Sequence, residues 1–448
     1  MSAPSAPSAT PPHPELKVRD AFSLQRGFRA LTTPSTVQIG ALDGLRAFSV
    51  IWIIAYHTAY AAQLYIDPAR YQAIESAGIL MPVTLAAHYA LDVFFVMSGF
   101  LIAQLLLSEK RRYGDIALPR FYARRALRLL PAYYPAMLFL FLAEPSQVKP
   151  AILDFNHILG IDWQIDLHMP NWGANLLYFN NFLPWDRQFM GWSWTLAIEE
   201  QFYITFPLFL MFVFKRGWPL LRTFVIMFAL AFVVRAIVAV VVLPHSDVQN
   251  AMFVKSHTRY GSIQLGVICA YYYLFVKDVA ARKRFIRWLF LGPVLFVVGV
   301  VLWKKTGMFL GAREVTIRSA HHYLIGSLIC WVVMNVIEPV KPMFWRFVDR
   351  LMSTRILFIL AQVSYSTYLL HLTVIALVYR YVDAHHPFGL QVPDTPAGVL
   401  AWILPFIAIC ALAATPMYLF IEHPCMVLRN IWFRRRQAPL AQPAPIAT

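Results

Sequence analysis

The sequence predicts an all-α integral membrane protein, a bundle of about ten transmembrane helices with both termini in the cytoplasm. Hydrophobic residues make up 59% of the chain and charged residues only 14%, where a soluble domain carries about a quarter charged. Mean hydropathy is +0.56. The apolar excess comes in stretches of roughly 17–25 residues, the length that crosses about 30 Å of hydrocarbon at 1.5 Å per residue. The net charge of +16 is spread in short runs between those stretches, as the positive-inside rule requires. It is not gathered on one soluble face, so no nucleic-acid partner is expected.

Residues 1–39 are rich in Pro, Ser, Ala and Thr. They lack the apolar core of a cleaved signal peptide and read as a disordered cytoplasmic tail. The membrane domain covers 40–425, with spans near 44–65, 84–107, 127–144, 192–214, 219–243, 258–276, 285–303, 318–338, 356–380 and 399–421. Residues 426–448 form a basic cytoplasmic C-terminal tail. Lys110, Arg111, Arg112, Arg120, Arg124, Arg125 and Arg128, between spans two and three, dominate the positive inner side. Lys304, Lys305, Arg313 and Arg318 run against the pattern, on the expected outer side after span seven. The longest loop, 145–191, faces outward and carries Trp163, Trp172, Tyr178, Asn180, Asn181 and Trp185. These suit an interfacial aromatic belt, a re-entrant cover or a platform for sugar rings. The four cysteines lie in or at the ends of spans without a CxxC pair, so neither a disulfide framework nor a metal site is indicated.

An ionisable side chain at the centre of a membrane helix costs about 2.5–3.5 kcal/mol on insertion scales, so each one asks for a reason. Arg46 and His57, in LDGLRAFSVIWIIAYHTAY, are close to three helical turns apart. They share a face and stand roughly 16 Å apart along the axis. GWSWTLAIEEQFYITFP places Glu199 on one face with Thr195 and Tyr203, while Glu200 points about 100° away. Glu199 could pair with Arg46 or Arg235 across helices. SYSTYLLH contributes Ser364, Ser366, Tyr368 and His371, hydroxyls of the kind that hold membrane helices together. In PRFYARRALRLLPAYY, Arg124, Arg125 and Arg128 sit at a membrane edge. They are topology anchors there, and their guanidinium forks also suit phosphate.

Taken in order, these segments resemble acyltransferase family 3, bacterial membrane O-acyltransferases, over roughly residues 40–425. LDGLRAFSV with His57 matches the family's R-x10-H as Arg46 and His57. LDVFFVMSGFLI carries its Ser-Gly-Phe as Ser98, Gly99 and Phe100. FYARRALRLLPAYY matches its Arg-rich motif through Arg125, Arg128 and Pro131. WTLAIEEQFY matches its Trp-Ser-x-x-x-Glu with Trp194 and Glu199, Thr195 replacing the usual Ser and keeping the hydroxyl. SYSTYLLH is similar to its late helix, with His371 in place. The chain ends soon after span ten, so the fused SGNH hydrolase-like domain of some members is expected to be absent.

The resemblance implies transfer of an acyl group, acetyl by default, from cytosolic acyl-CoA to a hydroxyl of an extracytoplasmic or membrane-associated carbohydrate, at the bacterial cytoplasmic membrane. His57 would be the general base, with Arg46 and Glu199 beside it. Arg124, Arg125, Arg128, Ser98 and Gly99 would bind the donor. Thr195, Tyr203, Trp194 and His371 would serve the acceptor or support the site. No tightly bound cofactor is implied. Histidine suits a base working near neutral pH, and Arg or hydroxyl donors suit a tetrahedral oxyanion. Two rivals make different predictions: a proton-coupled transporter using Arg46, His57 and Glu199 gives flux without covalent change, and an envelope scaffold tolerates polar-to-Ala changes.

Overall fold

A computed structural model describes residues 17–34, 40–142, 171–184, 187–242, 249–306 and 310–433. Among the described residues every regular element is helical. The helices that build the bundle are, in chain order, α1 (Gly40–Ala61), α2 (Ala90–Tyr113), α3 (Leu118–Leu142), α4 (Trp194–Arg216), α5 (Leu220–Val241), α6 (Ser256–Phe275) and α7 (Val279–Thr306). They continue with α8 (Leu310–Ile337), α9 (Met343–Met352), α10 (Arg355–Gln362), α11 (Ser364–His385), α12 (Pro396–Met417) and α13 (His423–Trp432).

Among the described residues six segments are long and apolar enough to cross a membrane: those containing α1, α2, α4, α5, the Ala320–Ile337 part of α8, and α12 with α13. The bent pair α10 and α11 makes a seventh if it is one crossing. Length and apolarity thus account for six or seven crossings of the ten expected. The remaining expected spans also fall on helices. α3, however, opens on Arg120, Arg124, Arg125 and Arg128, and α6 buries Ser256, Thr258, Arg259 and Ser262. Much of the α7–α8 junction lies outside the described side chains, including Lys304, Lys305, Arg313 and Arg318.

Among the described residues packing centres on two large apolar cores, with two small clusters beside them. One gathers α2, α4, α5, α6 and α8 around the start of α1, through Ala41, Leu42 and Leu45. The other gathers the rest of α1, from Val50 to Ala61, with α3, α11 and α12. In the first core α2 and α6 cross at backbone contact. A Cβ on Gly99 would lie 1.9 Å from the Ile263 carbonyl oxygen, and one on Gly266 would lie 2.1 Å from that of Val96. Small residues permit this approach in a membrane, where dispersion contacts rather than hydrophobicity hold helices together.

The same helices share a buried charge cluster. Asp92 accepts from Ser262 at 2.7 Å and meets His322 Nδ1 at 2.8 Å and Arg259 at 3.4 Å. The Arg259 guanidinium stands 5.2–5.7 Å from the rings of Phe253, Phe95 and Trp194, within cation–π range. Arg235, a candidate partner for Glu199, instead donates to the carbonyls of Met252 and Thr258 at 3.1 and 2.6 Å.

Span nine is not one rod. α10 and α11 meet at Val363 with a 74° bend. Ser364 turns its hydroxyl back onto the Ala361 carbonyl at 2.7 Å, and Ser366 at the new helix start bonds the Glu422 carboxylate through both its N–H, at 3.1 Å, and its hydroxyl. A carboxylate is well placed at a helix N-terminus, where N–H groups lack intrahelical partners. Glu422 itself ends a π-helical turn, Tyr418–Glu422, between α12 and α13.

Both expected tails are partly folded. Val18–Ala21 and Leu24–Thr32 are helical, and Leu31 is buried with Val363, Tyr418 and Leu419. α13 continues to Trp432, past the expected boundary at 425. Of the long loop, Trp163 and Trp185 lie outside the described residues. The described part is a polar plug as much as an aromatic surface. Asn175, Asn180 and Asn181 are fully buried and bond Ser193 and Ser256 at 2.7–3.2 Å, while Trp172, Phe179 and Phe182 stay exposed.

Candidate active site

A cavity of about 630 Å³ lies between the two cores. It runs from an arginine end, through a hydroxyl-and-carboxylate middle, to a wall with two histidines behind it. Arg46, Arg125, Arg128 and Arg429 line the first part. Arg46 is held by Asp43, one turn away, at 3.0 Å. Arg125 lies over the Tyr203 ring, 4.9 Å from its centroid.

In the middle, Ser98 of α2 faces α4. Its hydroxyl donates to Glu199 at 2.9 Å and touches the Tyr203 hydroxyl at 2.9 Å, and Tyr203 donates to the other Glu199 oxygen at 3.1 Å. The i, i+4 spacing read from the sequence does satisfy this carboxylate. Thr195, one turn earlier, meets the Tyr368 hydroxyl at 2.6 Å, and Tyr368 bonds the Trp192 carbonyl at 2.6 Å.

Behind Tyr368 stand the histidines. His371 Nδ1 is 2.8 Å from the Tyr368 carbonyl oxygen, and His371 Nε2 is 3.1 Å from His57 Nδ1. A carbonyl can only accept, so His371 Nδ1 carries a proton. In a neutral ring Nε2 then holds the lone pair, which requires His57 to donate from Nδ1. His57 also bonds the Ile53 carbonyl one turn earlier on α1, so its ring is held from two sides, as an oriented base requires. His371 is 1% exposed and His57 half-buried. Glu199 is bound to Ser98 and Tyr203, and the His57 ring is held by His371 and by the Ile53 carbonyl.

Arg46, Ser98, Arg125, Arg128, Thr195, Glu199 and Tyr203 therefore share one cavity, with His57 and His371 behind its Tyr368 wall. Three candidates lie elsewhere. Gly99 does not face the cavity, because the α2–α6 crossing takes up its missing Cβ. Trp194 is turned into the Arg259 cluster, its ring 5.0 Å from Phe253. Arg124 donates to the Phe433 carbonyl at 3.3 Å, beyond the end of α13. Sequence reasoning missed Glu422 and Arg429, both of which line the cavity. The available signal was Glu422 itself, an ionisable group closing an apolar span in YLFIEHP.

Comparison with known proteins gives the family. A family model described as an acyltransferase domain matches residues 39–422. The chain belongs to that acyltransferase family. It is similar to the O-acetyltransferase OatA of Staphylococcus aureus strains NCTC 8325, COL and MRSA252, at 30% identity over 396 residues, 86% of this chain. The chain spans 56% of the length of those relatives. No solved structure matches it.

Proposed function

We propose that this multi-pass membrane protein is an O-acyltransferase that moves an acetyl group from acetyl-CoA to a hydroxyl of an extracytoplasmic or membrane-associated carbohydrate. The observation that carries the reading is the oriented histidine pair behind one wall of a cavity whose other end is lined by arginine. The arginine end suits an anionic thioester from the cytosol, consistent with the positive inner side of the sequence. OatA, named as an O-acetyltransferase, supports the acetyl group and the oxygen acceptor.

In this reading His57 Nε2 takes the proton of the acceptor hydroxyl as its oxygen attacks the thioester carbonyl carbon. The Arg125 guanidinium supplies positive charge for the oxyanion of the tetrahedral intermediate, while the Ser98 and Tyr203 hydroxyls, both donating to Glu199, hold that carboxylate in place. When the carbon–sulfur bond breaks, the thiolate leaves and takes up the proton held by His57. The products are the O-acetyl ester and free thiol, with every proton accounted for. His371 and the Ile53 carbonyl hold the ring of the base throughout.

The decisive experiment compares wild type and His57→Ala at equal membrane abundance, by mass spectrometry of cell-envelope glycans. Wild type should add one acetyl increment per modified sugar, and His57→Ala should lower the rate roughly 10²–10⁴-fold, the usual contribution of a general base. Full acetylation by a normally inserted His57→Ala protein sinks the assignment. Proton-dependent flux with no mass increment would point to a transporter instead.

A further inference from the structure

The arginine end of the cavity gathers Arg46, Arg125, Arg128 and Arg429, and among the groups that act on Arg429 there are arginines and no carboxylate. Arg46 is paired with Asp43, and the two cavity carboxylates are engaged by hydroxyls, Glu199 by Ser98 and Tyr203 and Glu422 by Ser366. Arg125 rests on the rings of Phe121 and Tyr203. Arg429 bonds only the neighbouring Asn430 side chain, at 3.1 and 3.3 Å. Among the described residues neither these two arginines nor Arg128 meets a carboxylate in an ion pair. Arg429 nevertheless lies within electrostatic reach of Arg124, Arg125 and Arg128.

Such a cluster is self-repelling, and something holds it together. The holding contact is at the far end of α13. Arg120 and Arg124 both donate to the Phe433 carbonyl, at 2.6 and 3.3 Å, and so tie the C-terminal helix to α3. Two arginines of the α3 row thus fasten the helix, and the row's other members face Arg429 across the cavity. Arg128 lies within electrostatic reach of Asp43 and Glu422, and Arg125 of Glu199 and Glu200, so the unbalanced charge sits at Arg429, which the joint holds among like charges; such a place suits an anion. Guanidinium forks match phosphate oxygens two at a time.

We propose that Arg429 and Arg128 form the phosphate-recognising rim of the donor site, so that the C-terminal helix α13 reads the nucleotide phosphates of a CoA thioester. The inference rests on the donor reading above and divides its arginines by task. Arg124 fastens the helix, Arg125 faces the reacting group, and Arg128 with Arg429 grips phosphate.

The test measures binding of CoA and of pantetheine, which lacks the nucleotide and its phosphates, to the full-length protein in phosphatidylcholine nanodiscs. Arg429→Ala should weaken CoA roughly 10–150-fold, the range for losing a hydrogen bond to a charged group, and leave pantetheine unchanged. Arg429→Lys, which keeps the charge and guards against misfolding, should fall between. Equal CoA affinity in wild type and Arg429→Ala overturns the inference alone, as does an equal loss for CoA and pantetheine. If wild type binds no CoA, the donor reading falls and takes the inference with it. A second arm adds phosphatidylglycerol to the discs. Should Arg429→Ala abolish a preference for that lipid while CoA affinity stands, the phosphate belongs to a lipid headgroup and the inference is overturned.

Discussion

Replacing His371 by Phe removes the acceptor that faces His57, together with the Nδ1–H that bonds the Tyr368 carbonyl. The ring is of similar size, its site is almost wholly buried, and it would still pack against Tyr368, whose ring lies 5.6 Å away, stacked. For His57, what disappears is the 3.1 Å contact from its Nδ1 to Nε2 of His371. In the ground state that is a hydrogen bond between neutral groups. Once His57 has taken the acceptor's proton it becomes a bond from an imidazolium, worth about 1.5–3 kcal/mol. Most of its value is therefore realised in the transition state, which is where binding energy raises kcat. At 1.36 kcal/mol per factor of ten, kcat should fall roughly 10–150-fold, with the KM for acetyl-CoA unchanged because the arginine end is untouched. His371→Gln, which retains a carbonyl acceptor, should recover part of the loss. The assay is the initial rate of labelled acetyl transfer into envelope carbohydrate in membrane vesicles, over a range of donor concentrations. Wild-type kcat in the Phe variant, or a raised donor KM with kcat intact, would refute the positioning role.

Two further predictions concern the scaffold. Gly99→Ala puts a methyl 1.9 Å from the Ile263 carbonyl and must push α2 from α6; we expect a loss of about 1–3 kcal/mol, the usual cost of overpacking, read as a lower unfolding midpoint in detergent, and a midpoint at or above wild type would show the crossing to be plastic. Asp92→Asn leaves Arg259, buried at 0% side-chain exposure, without its counter-charge. A loss of about 3–5 kcal/mol is expected, with partial recovery in the Asp92→Asn, Arg259→Met double variant, measured by the same unfolding assay.

The sequence revealed the helices because hydrocarbon thickness is written into apolar run length, and it revealed Arg46, Glu199 and Tyr203 because helical spacing fixes which side chains share a face, whereas Ser98 came from the family resemblance alone. Partnerships across helices were harder to read. Glu422 pairs with Ser366, 56 positions away in the chain, and a carboxylate beside HP at the end of an apolar run looks like an edge charge until the bend at Val363 is known. That bend was itself hidden, since SYST reads equally as a helix start or as hydroxyls within a helix. Arg235 drew attention as an ion-pair candidate although backbone carbonyls satisfy it, while Arg259, the one that meets a carboxylate, was not singled out. The His57–His371 contact joins two motifs that were each read separately, 314 positions apart.

α1 starts in one core and finishes in the other. Arg46 and His57 are therefore two marks on a single stiff ruler that crosses the seam where the cavity lies. The separation between those marks is roughly 16 Å whatever the packing of the walls on either side, because it is set by helical rise alone. Cavity width is left to the contacts between the cores, while the reach along the helix is built into the covalent chain. An inserted or deleted residue between Arg46 and His57 would rotate one mark off the shared face, a change no repacking of the surrounding helices could correct.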